Sequence, residues 1–559
     1  MLKPLVKNLP VESEVRGGEM TLQPAQDSSY ASNGDMGAFA QMRSLGIVGI
    51  LQRFPVGTLT GKASLNAVAT FLDYGARLLV SFFVNPLLVR GLGNYLYGTW
   101  QILGRMIGYI SAASGRPTQA LKMTIANQQS SEDYEKKRRQ VGSAVAVWVL
   151  FSPVLIAAGG VLVWMVPSWL HIPAESIMSV RIATALLVMN LVMMNFTGVP
   201  ESVLHGENMG YKRMGLSAGI LVLGGMFMAA AMYFETGIVG AALARTASLI
   251  LSGIFFLQVV RMCVSWFGIA MPSFEEVRNF ICLNGWFLSS RLINQFMLVS
   301  DVIVLGMLGS VPSVTTYTLT KYAPESLISA VAIAAGGVLP GLGGFVGSGH
   351  YAKVARLRGE LMAITWLIAT GVGSTILIWN RDFVGLWVGA AHFAGTLSTT
   401  LIMLMTLQLA LIRIDANIID VTLNLRWKVL IGALSTGLSL LAAGFLVGWF
   451  HAGIVGLCLG FVAGRLILSL GYPFIINRFL GLSPVSQITG CIRPAAVMIL
   501  LFAVSLVAGR YLHVASWFNL VIWVSMTWAV ASVVAFRTGL PPQQRLFLWR
   551  RARSVLIPM

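Results

Sequence analysis

The stretch SLNAVATFLDYGARLLVSFFVNPLLVRGLGNYLYGTW, residues 64–100, decides the fold class. Its first apolar run is long enough to cross a hydrocarbon core about 30 Å thick, and a Gly-rich turn leads into a second run. Because a spanning segment must satisfy its own backbone hydrogen bonds, the sequence predicts an all-α polytopic membrane protein with about 14 transmembrane helices. The apolar runs lie at about 64–89, 97–115, 141–166, 177–199, 214–234, 237–260, 281–308, 314–346, 359–380, 394–424, 428–449, 452–475, 493–512 and 516–537.

The composition excludes several classes of protein. Of the 559 residues, 56% are hydrophobic and 11% are charged, whereas soluble domains have about 25% charged residues. The four cysteines lie far apart without a CxxC pattern, and the six histidines form no HxxxH pair. The sequence therefore indicates no disulfide framework, no metal site and no cofactor.

The charge distribution predicts the topology. Lys and Arg number 39 against 21 Asp and Glu, a net charge of +18. With the amino terminus inside, the cytoplasmic segments hold about 28 of the basic residues and the outer loops about three, as the positive-inside rule requires. We expect both termini to be cytoplasmic, and the net charge needs no nucleic-acid partner.

A weak internal repeat predicts two halves. Residues 282–319, CLNGWFLSSRLINQFMLVSDVIVLGMLGSVPSVTTYTL, share with residues 64–100 a Leu-Asn start, a mid-span arginine and a Leu-Gly end followed by tyrosine. Paired halves are typical of transporters whose site lies between them. The predicted organisation is a partly disordered polar cytoplasmic extension (1–60), an N-terminal six-helix bundle (61–260), a cytoplasmic linker (261–280), a C-terminal six-helix bundle (281–475), helices 13 and 14 (493–537) and a basic cytoplasmic tail (538–559).

Charged residues inside the spans mark the candidate site. The spans hold about eight basic and five acidic residues: Arg77, Arg105, Arg181, Arg245, Arg291, Lys321, Arg413 and Arg465, with Asp73, Asp301, Glu325, Asp415 and Asp420. A charge in a spanning helix is costly unless it faces water or a partner, so each is a functional candidate. Arg77 and Arg291 lie about 20 Å from flanking loop charges and hence near the midplane.

Salt bridges within single helices are the alternative explanation for some of these charges. Asp73 and Arg77 are four residues apart, as are Lys321 and Glu325, so each pair shares a helix face.

Elsewhere, the spacing of Gly456, Gly460 and Gly464 predicts a close helix contact surface.

The chain resembles a known family. Fourteen spans, a first span running into NPLLVRGLGNYLYGTW and a seventh running into SDVIVLGMLGSVPSVTTYTLTKY are similar to the polysaccharide (O-antigen or exopolysaccharide) repeat-unit flippases of the multidrug/oligosaccharidyl-lipid/polysaccharide exporter superfamily. The resemblance implies two pseudo-symmetric bundles around a cationic lumen that moves an undecaprenyl-pyrophosphate-linked oligosaccharide by alternating access. The extension of about 60 residues at the amino terminus departs from the family pattern.

The resemblance and the buried charges predict the same kind of site. Arg77, Arg291, Arg105 and Lys321 are expected to bind the anionic headgroup, because guanidinium groups suit phosphate oxygens. Asp73, Asp301 and Glu325 are candidates for proton or sodium coupling. The expected partners are the lipid-linked oligosaccharide, the membrane, and polymerase and export components of a polysaccharide pathway. Some aromatic residues could stack on sugars or simply pack or anchor the helices: Tyr97, Trp100, Tyr109, Trp286, Tyr317 and Tyr322.

Three other functions fit parts of the sequence. A cation-coupled multidrug exporter of the same superfamily would need uncompensated acids in its lumen, whereas bases exceed acids here. A lipid II flippase shares the cationic lumen but matches the LG-x-x-x-YG-x-W pattern at residues 92–100 less well. A membrane polysaccharide polymerase or ligase would need a large outer loop, and the outer loops here are short, so we expect no enzyme.

Overall fold

The computed structural model describes residues 59–112, 117–128, 131–207, 209, 216–347, 349–421, 425–481, 483–542 and 544–546. At 59–71, 282–294, 332–344 and scattered single positions it describes the backbone alone. Leu59–Met559 forms one compact unit. The predicted amino-terminal extension and the end of the basic tail lie outside the described residues.

Helices make up nearly all of the described chain, and no strand occurs in it. They are α1 (Leu59–Ala112), α2 (Pro117–Asn127), α3 (Tyr134–Trp169), α4 (Ile177–Thr197), α5 (Val199–Gly206), α6 (Leu216–Tyr233), α7 (Gly237–Cys263), α8 (Phe274–Val304), α9 (Val311–Gly347), α10 (Tyr351–Trp387), α11 (Thr396–Val421), α12 (Leu425–Gly448), α13 (Gly453–Leu480), α14 (Pro484–Tyr511) and α15 (Trp517–Val534). All except α2 and α5 correspond to predicted spans, and α1 contains two of them.

Length and apolar character confirm the fold class. Among the described residues, eleven helical segments are long and apolar enough to cross a membrane. Many large apolar side chains on their outer faces are exposed, for example Trp164 (72%), Leu441 (73%) and Phe518 (74%). Such a surface would be costly in water, because every one of these side chains would remain hydrated. The protein is therefore an all-α polytopic membrane protein.

A glycine separates the first two spans inside α1. Gly93 has φ +70° and ψ 171°, which breaks the helix. Only glycine adopts a positive φ of this kind without strain, since it has no Cβ. The corresponding break between α8 and α9 is a π-helical turn, Leu305–Gly309, followed by extended Ser310. Both breaks lie where the sequence predicts the ends of the first and seventh spans.

The helices pack in two sets that share a boundary. The first helix set consists of α1, α3, α4, α6 and α7, and the second helix set of α9, α10, α11, α12 and α13, with contacts among the members of each set. Helix α8 packs against α1 and α3 on one side and α12 on the other, while α1 also packs against α9. Helices α14 and α15 lie on α10. The paired spans of the sequence repeat thus meet at the boundary.

Small residues allow one contact to be very close. A Cβ added to Gly460 would lie 2.3 Å from the Ala443 backbone nitrogen, and one added to Gly464 would lie 2.4 Å from the Ser439 Cα. Helices α12 and α13 therefore touch through their backbones, which confirms the contact surface predicted from the glycine spacing.

Candidate functional site

Two ion pairs join helices at the boundary between the sets. The Lys321 ammonium on α9 pairs with Asp301 on α8, and the Arg105 guanidinium on α1 lies 3.7 Å from the Glu325 carboxylate on α9. Four of the seven predicted site residues therefore meet. The alternative explanation, a salt bridge between Lys321 and Glu325 within α9, does not hold, because each of these residues is paired with a residue on another helix.

Asp301 accepts hydrogen bonds from three donors within the protein. Its side chain is 3% exposed. One carboxylate oxygen accepts the Tyr317 hydroxyl at 2.6 Å and the Lys321 ammonium, while the other accepts the Val302 backbone N–H at 2.9 Å. Lys321 also lies 5.2 Å from the centre of the Tyr317 ring, a favourable cation–π distance. The protein itself therefore neutralises this buried carboxylate in the described conformation.

Two further arginines extend this cluster. Arg465 on α13 is 3% exposed and donates from Nη2 to the Met297 carbonyl oxygen of α8 at 2.6 Å. Arg413 on α11 is half-buried and interacts electrostatically with Glu325 and with Arg465. We call Arg105, Asp301, Lys321, Glu325, Arg413 and Arg465 the central cluster. It carries two more positive charges than negative ones. The sequence marked Arg413 and Arg465 as in-span bases without indicating that they reach the same place.

Two of the other predicted site residues lie on the first half of α1, and the third lies on α8. Arg77 is exposed and Asp73 is half-buried, both on the first half of α1. The neighbouring residues Tyr74 and Leu78 contact α9, because the Tyr74 hydroxyl donates to the Ser326 carbonyl at 3.3 Å and the Tyr322 hydroxyl donates to the Leu78 carbonyl at 3.0 Å. Arg291 belongs to α8, and its side chain is not among those described.

Most of the described aromatic candidates pack or bond within the protein. Tyr97 and Tyr317 are about 1% exposed or less, and Trp100 is 8% exposed. The Tyr109 hydroxyl hydrogen-bonds the Ser300 hydroxyl at 2.6 Å. These rings therefore support the packing explanation for the aromatic residues over sugar stacking.

A second buried ion pair lies within the second helix set. Arg358 donates from Nε and Nη2 to the two carboxylate oxygens of Asp415, at 2.7 and 3.0 Å. The pair borders a cavity of about 210 Å³ between α10, α11, α13 and α14. Arg358, expected in a cytoplasmic loop, therefore balances Asp415, expected inside a span, and this pair adds no net charge to the protein interior.

Comparison with solved structures relates the fold to known transporters. No family model and no curated protein matches the sequence. A multidrug resistance MATE family transporter of the MOP superfamily, in an inward-facing conformation, aligns with TM-score 0.60 and 14% identity over 74% of this chain and 99% of its own. An outward-facing MATE transporter of the MOP superfamily aligns with TM-score 0.51 and 16% identity, over 77% and 98%.

A lipid flippase shows the same likeness. The lipid II flippase MurJ, in an inward closed conformation, aligns with TM-score 0.63 and 11% identity over 84% of this chain and 99% of its own. Identities this low establish the fold alone. This chain has the fold shared by MATE transporters and the lipid II flippase MurJ.

Proposed function

We propose that this protein is a flippase that moves an undecaprenyl-pyrophosphate-linked oligosaccharide repeat unit across the bacterial inner membrane for cell-surface polysaccharide biosynthesis. The observation that carries the proposal is the excess of positive charge in the central cluster, at the boundary between the two helix sets. A site with that charge and position suits an anionic ligand that crosses by alternating access between the sets.

The excess of positive charge in the central cluster favours an anionic substrate. Four basic side chains of the central cluster face two carboxylates, and unbalanced charge is costly in a low-dielectric interior. A pyrophosphate headgroup would compensate it. The Arg105 side chain is 28% exposed and pairs with the Glu325 side chain, which is 45% exposed, and exposed Arg77 lies on the same helix. Together with Lys321 and Arg291, these residues would bind the headgroup while the lipid chain stays among the helices.

The same charge disfavours export of cationic drugs, although the fold is shared with multidrug transporters. A cationic drug would meet repulsion from Arg105 and from the excess bases behind it. Lipid II transport is the second candidate function, since the fold likeness to MurJ supports it and lipid II also carries a pyrophosphate. The LG-x-x-x-YG-x-W stretch at residues 92–100 favours the polysaccharide repeat unit.

Transport by the purified full-length chain tests the function. The protein is reconstituted in liposomes with a fluorescent undecaprenyl-pyrophosphate oligosaccharide, and a membrane-impermeant quencher reports which leaflet holds the label. We expect flipping of this lipid, slower flipping of lipid II, and none of the same oligosaccharide on undecaprenol without pyrophosphate. Transport of a cationic dye without any lipid flipping would instead establish a multidrug exporter.

Cellular context follows from the same proposal. The flippase would act in the inner membrane with both termini in the cytoplasm, and it would hand its cargo to polymerase and export components of a polysaccharide pathway. A deletion strain should then accumulate the lipid-linked repeat unit on the cytoplasmic side.

A further inference from the structure

Arg465 is a buried charge with only part of its hydrogen-bonding capacity used. Its Nη2 donates to the Met297 carbonyl, but its Nε and Nη1 have no hydrogen-bond partner among the described residues. The Phe461 ring, 5.0 Å from the guanidinium carbon, provides a cation–π contact and no acceptor. A buried guanidinium in this condition is destabilising, so another conformation that satisfies it would be favoured.

Asp301 is the carboxylate whose charge acts on Arg465. Met297 precedes Asp301 by four residues on α8, so the residue that Arg465 contacts is about one helical turn from Asp301, a rise of about 6 Å along the helix. Arg465 and Asp301 also interact electrostatically. Two cations, Arg465 and Lys321, therefore flank one carboxylate, and Lys321 holds it.

The two cations differ in how they can move. Lysine is a compact charge on a flexible four-carbon stem, whereas the arginine guanidinium is a planar fork of donors that loses less rotamer freedom for each hydrogen bond it forms. Lys321 can therefore turn toward a ligand by side-chain rotation alone. Arg465 is tied to the α8 backbone through Nη2, so a turn of its guanidinium toward Asp301 changes a contact between α13 and α8.

We propose that binding of the pyrophosphate headgroup causes an ion-pair exchange at Asp301. Lys321 leaves Asp301 for a phosphate oxygen, and Arg465 replaces it as the partner of Asp301. The exchange keeps the buried carboxylate compensated throughout, satisfies the Arg465 donors, and links headgroup arrival to movement of α13 against α8. Arg465 is then a positioning residue that contacts no substrate. This inference rests on the proposed flippase function.

A double-mutant cycle measures the exchange directly. The full-length chain in nanodiscs carries Asp301→Asn, Arg465→Gln or both, and its thermal unfolding is followed with and without undecaprenyl pyrophosphate. We expect the coupling between Asp301 and Arg465 to be small without the lipid and to appear when the lipid is bound. The coupling between Asp301 and Lys321, measured with Lys321→Met, should change in the opposite direction. Equal Asp301–Arg465 coupling in both conditions would overturn the exchange.

Binding and transport provide a second readout where a variant unfolds easily. Arg465→Gln should bind undecaprenyl pyrophosphate with nearly the wild-type Kd. It should flip the lipid about tenfold more slowly, because one charge-assisted hydrogen bond is lost. Arg465→Lys should recover part of the flipping rate. Arg181→Gln is the matched control, since Arg181 is a part-buried arginine of α4 whose Nε also has no partner among the described residues. Equal effects of the Arg465→Gln and Arg181→Gln changes on flipping would overturn the exchange.

The exchange and the proposed function fail in different ways. If the wild-type chain neither binds nor flips the pyrophosphate lipid, the proposed function fails and the exchange fails with it. If the wild-type chain binds and flips the lipid while the Asp301–Arg465 coupling stays constant, only the exchange fails.

Discussion

Arg77 and Arg90 are two exposed arginines of α1, thirteen residues apart, and they allow a matched test of the headgroup site. Arg77→Glu should abolish flipping because it sets a carboxylate against the pyrophosphate, while Arg77→Lys keeps the charge without the bidentate geometry and should retain partial activity. Arg77→Ala should lose most activity. Arg90→Glu, near the predicted outer end of the first span, should change flipping little. Flipping is measured per molecule, with membrane abundance determined for each variant.

Two results would contradict a binding role for Arg77. Normal flipping by an abundant Arg77→Glu protein would remove this residue from the site. A loss of abundance with a normal rate per molecule would indicate a structural ion pair with Asp73 instead. In that case, the double change Asp73→Ala with Arg77→Ala should restore the abundance that Arg77→Ala alone loses.

The acids proposed for ion coupling differ in solvent exposure, and the more exposed acid is the better candidate to exchange an ion. The Glu325 side chain is 45% exposed and 3.7 Å from its arginine partner, whereas Asp301 is buried and saturated by internal donors. We expect Glu325→Gln to remove the dependence of flipping on a sodium or proton gradient while leaving headgroup binding intact. Exposed Glu175→Gln is the control. Unchanged gradient dependence in Glu325→Gln, Asp73→Asn and Asp301→Asn alike would exclude all three from coupling.

At the scale of single residues, the sequence identifies the buried charged residues but not the residues with which they pair. Arg105, Asp301, Lys321 and Glu325 were recognisable because a charge in an apolar span is costly. The i,i+4 spacing of Lys321 and Glu325 describes neighbours on one helix, but α8 brings Asp301 to Lys321 and α1 brings Arg105 to Glu325. Partners on other helices depend on rotation and register, which hydropathy does not encode.

At the scale of helices, Gly464 and Gly437 test the contact between α12 and α13. A Cβ at Gly464 would lie 2.4 Å from backbone atoms of Ser439, while one at Gly437 would meet nothing within 4 Å. We expect Gly464→Ala to lower the free energy of unfolding by about 1–3 kcal/mol, a typical overpacking cost. Gly437→Ala should be neutral or stabilise by up to about 1 kcal/mol, since alanine favours a helix. Equal thermal stabilities of the two variants in detergent would contradict the close contact.

Spanning helices were predictable, and short helices between them were not. Fourteen apolar runs match helical segments because length and apolarity alone identify a span. Helices α2 and α5 have 11 and 8 residues, too few for that signal. They pack against each other through buried Leu121, Ile125 and Leu204, so tertiary packing, which a hydropathy scan does not measure, stabilises them.

For the whole molecule, the distribution of basic residues predicts orientation. Reporter fusions after Met559 and within 169–175 should show a cytoplasmic carboxyl terminus and an outer loop, respectively, because about 28 basic residues lie in predicted inner segments and about three in outer ones. An external signal from the fusion after Met559 would contradict the predicted topology. The side of the membrane from which a ligand reaches the central cluster would then be reversed as well.

Alternating access requires the contacts between the helix sets at the predicted outer end to break. The Asn94 carbonyl accepts the Thr315 hydroxyl at 2.6 Å, the Asn94 side chain hydrogen-bonds His392 at 2.6 Å, and the Trp387 indole N–H donates to the Phe82 carbonyl at 2.7 Å. Each contact joins α1 to a residue in or next to the second helix set. Together they hold the two helix sets in contact at the predicted outer end.

Linking these contacts should therefore stop transport. In a variant without native cysteines, Asn94→Cys and His392→Cys are joined by a short bifunctional methanethiosulfonate reagent; flipping should cease on cross-linking and return after reduction, because the sets can no longer separate. Single-cysteine variants treated identically should remain active. The control pair is Asp382→Cys and His513→Cys, which replaces a contact of 3.7 Å between α10 and the segment before α15. This contact does not join the two helix sets, so linking the control pair should leave flipping unchanged. Full flipping after complete linkage of residues 94 and 392 would mean that the lipid crosses without separation of the helix sets.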